Sequence, residues 1–110
     1  MTGNEILRSA AVVMGFKQPT SEMIGTGLTV INSVLDDLGS DPIQNLESSP
    51  SDMSSAEEQA CVYGVAMLLS VAIGDLRATE CFSPIYNEKR SRAKGTKSFV
   101  TDSLPKGEML

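Results

Sequence analysis

The longest apolar stretch of the chain runs from Ala60 to Ile73, and among its 14 residues Ser70 is the only polar one. Ala, Met and Leu favour a helix, and the run falls short of the roughly 20 residues that a bilayer span needs. Glu57, Glu58 and Asp75 flank it closely, which also disfavours a span. An apolar helix of this kind is covered on every side. The pattern therefore predicts a buried central helix, with a pair of strands and a membrane contact as alternatives.

Two helices are predicted before the central one. The first has Thr2 and Glu5 at capping-box spacing and Gly15 as its stop. Its apolar residues recur at helical intervals: Ile6, Leu7, Ala10, Val13 and Met14. The second helix begins at Pro19 and Thr20 and ends at Gly39, with one apolar stripe made of Ile24, Leu28, Ile31, Leu35 and Leu38. Within this helix, Gly25 and Gly27 predict close approach by a neighbouring backbone.

The residues on either side of the central helix read as a loop and a charged helix. Pro, Ser, Asp and Asn punctuate residues 39–54, so we predict a long loop that Ile43, Leu46 and Met53 attach to the core. Ser54 and Glu57 form a second capping box. After Leu76, Ser83 and Pro84 are typical of a helix start, and Gly95 of its end. We therefore predict a helical domain over residues 1–95 and an extended C-terminal arm over residues 96–110.

Together these segments predict an all-α fold, a small bundle of about four helices around the central apolar helix. The chain of 110 residues suffices for one domain with a modest core. We expect the core to include Leu28, Ile31, Leu35, Tyr63, Leu68 and Leu69. The first residues lack the basic and apolar pattern of a secretory signal, and Cys61 and Cys81 lack metal or redox spacing, so we expect a reducing compartment.

Charge is distributed unevenly along the chain, whose net charge is −5. Residues 18–76 hold nine acidic side chains and no Lys or Arg, whereas seven basic residues follow from Arg77 onward. Two solvated faces are the simplest interpretation. The alternative is a pair of complementary surfaces that meet between copies of the protein. In that case the subunit interface would involve Lys89, Arg90, Arg92, Asp36 and Asp37.

The residues that usually carry catalysis or bind metals are scarce. The chain contains no His, which removes the commonest general base and metal ligand. Asp36 and Asp37 are adjacent, so on a helix their side chains point in different directions. We expect no enzyme, no catalytic residue, no cofactor and no metal. Direct DNA binding would depend on the basic residues 89–97 of an acidic protein, and we do not expect it.

Three stretches together resemble the head–tail adaptor proteins of tailed bacteriophages, also called head-completion or connector proteins. They are Ile31–Leu38, Tyr63–Leu69, and Phe82 followed by Tyr86-Asn-Glu-Lys-Arg90. They occur in the order found in the family and cover roughly residues 24–92. Ser83 and Pro84 depart from the family pattern, because the last helix is often continuous there.

The resemblance implies a structural protein at the head–tail junction of the virion, assembled in the bacterial cytoplasm. It implies a ring of about twelve copies, although the isolated chain can be monomeric. The ring would dock on the portal protein and bind a tail-completion or tail-terminator protein on its other side. DNA would pass through without sequence-specific binding, and no membrane would be involved. We expect Phe99, Val100 and Leu104 of the arm to dock on the portal. The alternative is a small acidic regulatory or chaperone-like protein, such as a tail-assembly chaperone.

Overall fold

The structure is a computed structural model that describes residues 1–102, with side chains described through Lys94. Within these residues the chain forms four α-helices and no strand: α1 (Gly3–Val13), α2 (Ser21–Asp37), α3 (Ser55–Ala72) and α4 (Leu76–Asp102). The predicted all-α fold of about four helices is therefore confirmed. The described part is elongated, with extents of 52 × 30 × 18 Å.

Short-range signals set the ends of the first three helices. Thr2 and Ser54 close capping boxes with Glu5 and Glu57, and Thr20 caps α2. In the first box, the Thr2 amide donates to Glu5 Oε1 at 2.7 Å. The three helices are followed by glycines with positive φ, a conformation that costs glycine little: Gly15, Gly39 and Gly74. These ends are where the sequence predicted them.

Helix α3 lies at the centre and contacts each of the other three helices. Its buried side chains point in several directions, as expected of a helix that is covered on most sides; they include Ala60, Cys61, Val65, Ala66 and Leu69. Ser70 is fully buried, and its Oγ donates to the Ala66 carbonyl at 2.8 Å, so its polar group is satisfied. Among the described residues, no helix combines the length and hydrophobicity that crossing a bilayer requires.

The buried core contains three of the six residues that the sequence assigned to it. Ile31, Leu35 and Leu69 are fully buried. The other three assigned residues are partly buried and pack against this cluster: Leu28, Tyr63 and Leu68.

Ile24 is where the predicted stripe of α2 is wrong, because its side chain is 51% exposed while that of Met23 is buried. The stripe that faces the core runs through Met23, Gly27, Ile31 and Leu35, at intervals of four residues. Gly27 lets α1 come close: a Cβ there would lie 2.9 Å from Leu7 Cδ2. At Gly27 the close neighbour is thus a side chain and not the predicted backbone, and at Gly25 the prediction is wrong because a Cβ there would meet open space.

The loop between α2 and α3 is held to the bundle by hydrogen bonds and apolar contacts. The Asn32 side chain accepts from the Ile43 amide at 2.8 Å and donates to the Ile43 carbonyl at 2.9 Å. The Gly3 amide, at the start of α1, donates to the Ser48 carbonyl at 2.9 Å. Ile43 is buried, and Leu46 and Met53 pack against the core as predicted. The loop thus satisfies part of the open N-terminus of α1.

Helix α4 differs from its predicted bounds at both ends. It begins at Leu76 and not at Ser83, because the Asp75 side chain accepts from the Ala78 amide at 3.0 Å and caps it earlier. Pro84 lies inside the helix, where the missing N–H and the ring usually cost about 3 kcal/mol. Packing of Phe82 and Tyr86 against α3, on both sides of Pro84, offsets that cost.

At its other end, α4 continues past Gly95 to Asp102. The first residues of the predicted arm, 96–102, are therefore helical in backbone, and residues 103–110 lie outside the described part of the chain.

Candidate interaction surface

The helices α2, α3 and α4 meet most closely at Gly64. A Cβ added there would lie 2.6 Å from Tyr86 Cε1 and 2.8 Å from Val34 Cγ1, so no larger residue fits without a shift. Nearby, the rings of Tyr63 and Phe82 have centroids 6.2 Å apart. This junction fixes the position of α4 on the bundle.

A polar cluster closes the same junction at the end of α2. Tyr86 Oη donates to Asp37 Oδ2 at 2.6 Å, and Arg90 Nη1 lies 3.2 Å from the same oxygen. Burial raises the pKa of the Tyr86 hydroxyl above its ordinary value, and the hydrogen bond to Asp37 is the second cause of this rise. The tyrosine therefore stays neutral and remains a hydrogen-bond donor at physiological pH.

Four of the five predicted interface residues have partners within the chain. Arg90 and Asp37 form the ion pair just described, with side chains 37% and 43% exposed. Lys89 Nζ lies 3.2 Å from Gln59 Oε1 and 5.2 Å from the centre of the Tyr63 ring. Arg92 lies 3.5 Å from Glu88, one helical turn away. Asp36 is exposed. Their role between subunits stays a prediction, and Arg90 and Asp37 could take part only by exchanging partners.

The predicted portal-docking residues fall beyond the described side chains. Phe99 and Val100 lie within the backbone range of α4, and Leu104 lies outside the described residues.

The helix termini that gather at one end of the bundle can be identified from contacts. The amino group of Met1 lies 3.2 Å from Glu58 Oε2, so α1 and α3 start side by side. Glu22 and Met23 of α2 share a depression with Leu69, Ala72 and Ile73 of α3, so α2 starts where α3 ends. Helix α4 begins directly after that point.

This end exposes large apolar side chains, and we call it the apolar end. It comprises Leu76 (69% exposed), Val71 (57%), Ile24 (51%) and Ile73 (39%). Single exposed apolar residues are ordinary, but a group at one site is typical of a protein-binding surface.

Two depressions shape the apolar end. The first, of about 330 Å³, lies between α2 and α3, and the second, of about 270 Å³, lies between the end of α3 and the start of α4. Glu22 borders the first and Asp75 borders the second. The arrangement offers apolar contact area with acidic groups at its edge.

Sequence reasoning missed the apolar end, because it placed Ile24 on a single apolar stripe of α2 with Leu28, Ile31, Leu35 and Leu38. The available signal was the apolar residues that crowd a helix stop, with Val71 and Ile73 before Gly74 and Leu76 after it. A helix terminus is normally solvated, so apolar residues on both sides of one are a sequence signal for an exposed apolar surface.

The rest of the described chain offers little for chemistry. No group of three or more His, Cys, Asp or Glu within it could hold a metal ion. Cys61 is buried, and burial, with the Glu58 charge as a smaller cause, raises the pKa of its thiol to about 12. The thiolate that nucleophilic attack requires is therefore rare at neutral pH.

Comparison with known proteins gives no match: no protein-family model, no curated protein and no solved structure is significantly similar to this chain. The fold and surface define it, at the level of class, as a small all-α domain with an exposed apolar end.

Proposed function

We propose that this chain is a structural subunit of the head–tail connector of a tailed bacteriophage. Copies of it would form a ring between the portal protein and a tail-completion or tail-terminator protein, at the head–tail junction of the virion. DNA would pass through this ring without sequence-specific contacts.

The observation that carries the proposal is the meeting of the three stretches that resemble the connector family. Val34 of the first stretch and Tyr86 of the third both pack against Gly64 of the second. Asp37 of the first bonds to Tyr86 and Arg90 of the third. Stretches far apart in sequence thus form one packing unit, which supports reading them together rather than one by one. α4 is continuous through Pro84, as the last helix of the family often is, and this also supports the proposal.

A ring also requires a subunit with two different surfaces, because each copy contacts the next head to tail. The chain has such surfaces, with exposed apolar side chains at one end of the bundle and basic side chains along the distal half of α4. A head-to-tail ring could use both, whereas a two-fold dimer would pair each surface with itself.

The test is assembly on the portal protein that the same genome encodes. The chain is mixed with the purified portal, and the product is examined by native mass spectrometry and electron microscopy. A complex with several copies of this chain on one face of the portal supports the proposal. The proposal is overturned if the genome has no portal gene. It is also overturned if the portal binds no copy of this chain when the chain is present at the same concentration as the portal or a higher one.

A chaperone-like interaction protein is the second candidate, and the exposed apolar end is what favours it, because chaperones bind apolar segments of their clients. The two candidates differ in the finished particle. A connector remains in purified virions at fixed copy number, whereas an assembly chaperone is absent from them.

A further inference from the structure

The apolar end exposes Val, Ile and Leu side chains, which are residue types that the core of this chain buries. Val71 and Leu76 are both more than half exposed, on either side of the turn at Gly74. Burial of apolar area is favourable roughly in proportion to the area removed from water, so several such side chains in one place favour binding of an apolar partner.

The C-terminal segment of the same chain cannot reach this end. Helix α4 begins there at Leu76 and ends at Asp102. A helix of 27 residues is about 40 Å long. The eight residues 103–110 span at most about 29 Å when fully extended. Any part of residues 103–110 that covers the apolar end must therefore belong to another copy.

The sequence of that segment suits the apolar end in chemistry. Residues 103–110 read Ser-Leu-Pro-Lys-Gly-Glu-Met-Leu, in which Leu104, Met109 and Leu110 are apolar. Pro105 disfavours the α conformation for Leu104, which suits an extended ligand. The segment carries one basic and one acidic side chain, Lys106 and Glu108, and Lys106 can pair with Glu22 or Asp75 at the edge of the surface.

We propose that the apolar end is the receptor for residues 103–110 of a neighbouring copy, with Leu104 in one of the two depressions. The inference deepens the proposed ring and rests on it, and it assigns the arm a receptor on the next subunit in place of the portal. The contact joins two different surfaces, so it repeats from copy to copy and either closes a ring or extends a filament. Repetition around a ring strengthens a weak single contact by raising effective concentration.

The test is disulfide cross-linking between two full-length variants in a Cys81→Ala background, which leaves only the buried Cys61. One copy carries Leu104→Cys, and the other carries Leu76→Cys at the apolar end. The matched control replaces the second variant with Gln44→Cys, which is exposed in the loop at the opposite end of the bundle. Each mixture is oxidised mildly in two samples. One sample is the concentrated protein alone, and the other is the protein assembled on the portal.

We expect the pair Leu104→Cys and Leu76→Cys to cross-link at least about tenfold more than the control pair, because docking raises the local concentration of the two thiols. Equal yields in the two mixtures, or no cross-link in either sample, overturn the inference. Cross-linking of Leu104→Cys to the portal would also overturn it, and would restore the portal as the receptor of the arm.

A second variant tests the receptor without cysteines. Leu76→Glu alters a side chain that is 69% exposed, so we expect its melting temperature to stay close to that of the unmodified chain while association between copies is lost. Gln44→Glu is the control and should associate normally. Normal association of Leu76→Glu would contradict the inference.

These outcomes separate the inference from the proposed function. Rings on the portal without the specific cross-link would leave the connector function standing and remove the arm contact. The specific cross-link in a protein that never binds a portal would keep the contact between copies and remove the connector function.

Discussion

At the scale of single residues, Gly64 allows three helices to approach one another closely. Its missing side chain leaves room for the Tyr86 ring and the Val34 side chain, which lie under 3 Å from where a Cβ would stand. A side chain at this position would force its neighbours to move, because protein interiors are close-packed. The residue therefore sets the distance of α4 from α3.

We predict that Gly64→Ala lowers the free energy of unfolding by about 1–3 kcal/mol, because the added methyl overpacks the junction. Gly25→Ala is the matched control, since it adds the same methyl to an exposed helical position with open space around it. There we expect a gain of about 0.5–1 kcal/mol. Urea denaturation measures both, and a Gly64→Ala protein as stable as the control would contradict the packing described.

Cys61 makes stability depend on alkaline pH. Its pKa is raised from 9.0 to about 12 in the folded chain, so above pH 9 the unfolded chain loses the proton that the folded chain keeps. The contribution of Cys61 to the free energy of unfolding is therefore fully present below pH 9, and it is lost as the pH rises towards 12. Cys61→Ala should lower stability at neutral pH through lost packing but show a shallower decline over that range. Denaturation at a series of pH values measures the slope.

The exposed Cys81 provides the control for that slope. Cys81→Ala should keep the full alkaline decline. An unchanged slope in Cys61→Ala would show that other groups cause the decline, and Tyr86, whose pKa is also raised, is the first of them.

At the scale of helices, one carboxylate joins α2 to α4. Asp37, at the last position of α2, accepts the Tyr86 hydroxyl and pairs with Arg90 one turn further along α4. Tyr86 is 4% exposed, so its hydroxyl would lack water to replace a lost partner. The cluster thus ties the end of one helix to the middle of another.

We predict that Tyr86→Phe costs about 1–2 kcal/mol, at the lower part of the range for hydrogen bonds to charged groups because Asp37 is partly solvated. Tyr63→Phe is the matched control, because within the described residues no hydrogen bond of its hydroxyl is found. Its stability should change by less than about 0.5 kcal/mol. Equal losses in the two variants, measured by urea denaturation, would argue against the Asp37 bond.

At the scale of the whole molecule, the uneven charge along the sequence becomes contacts inside one chain. Arg90 belongs to the basic region and Asp37 to the acidic region, and the fold pairs them. An exposed pair of this kind is worth about 0–1 kcal/mol, so it contributes little to stability and could be exchanged for a pair with another subunit. Stability and assembly can therefore be measured as separate consequences of the same charges.

We predict that Arg90→Glu lowers the free energy of unfolding by no more than about 1 kcal/mol and weakens assembly on the portal, more so at low salt. The double variant Arg90→Glu with Asp37→Arg rebuilds the ion pair within the chain but removes the acceptor of the Tyr86 hydroxyl, so its reference is Asp37→Arg alone. If the double variant is more stable than Asp37→Arg but still fails to assemble, the charges act between subunits. If Arg90→Glu assembles normally at every salt concentration, these residues have no part in the ring.

The sequence by itself determined the helices whose signals are local. Capping boxes, stop glycines and the apolar run of α3 act over a few residues, so they could be identified without knowing what packs against them. The same holds for the all-α fold class and for Ile31, Leu35 and Leu69 in the core.

Only the tertiary structure decided which faces are covered and which charges meet. Ile24 fits the apolar stripe of α2 but lies beyond the cover of α1 and α3, and that is a matter of helix placement. Pro84 reads as a helix start, yet packing on both sides of it outweighs the local signal. The Asp37 carboxylate and its partners on α4 are about 50 residues apart in sequence, and the apolar end gathers the start of α2, the end of α3 and the start of α4. Such groupings arise from packing between distant segments, which no local pattern encodes.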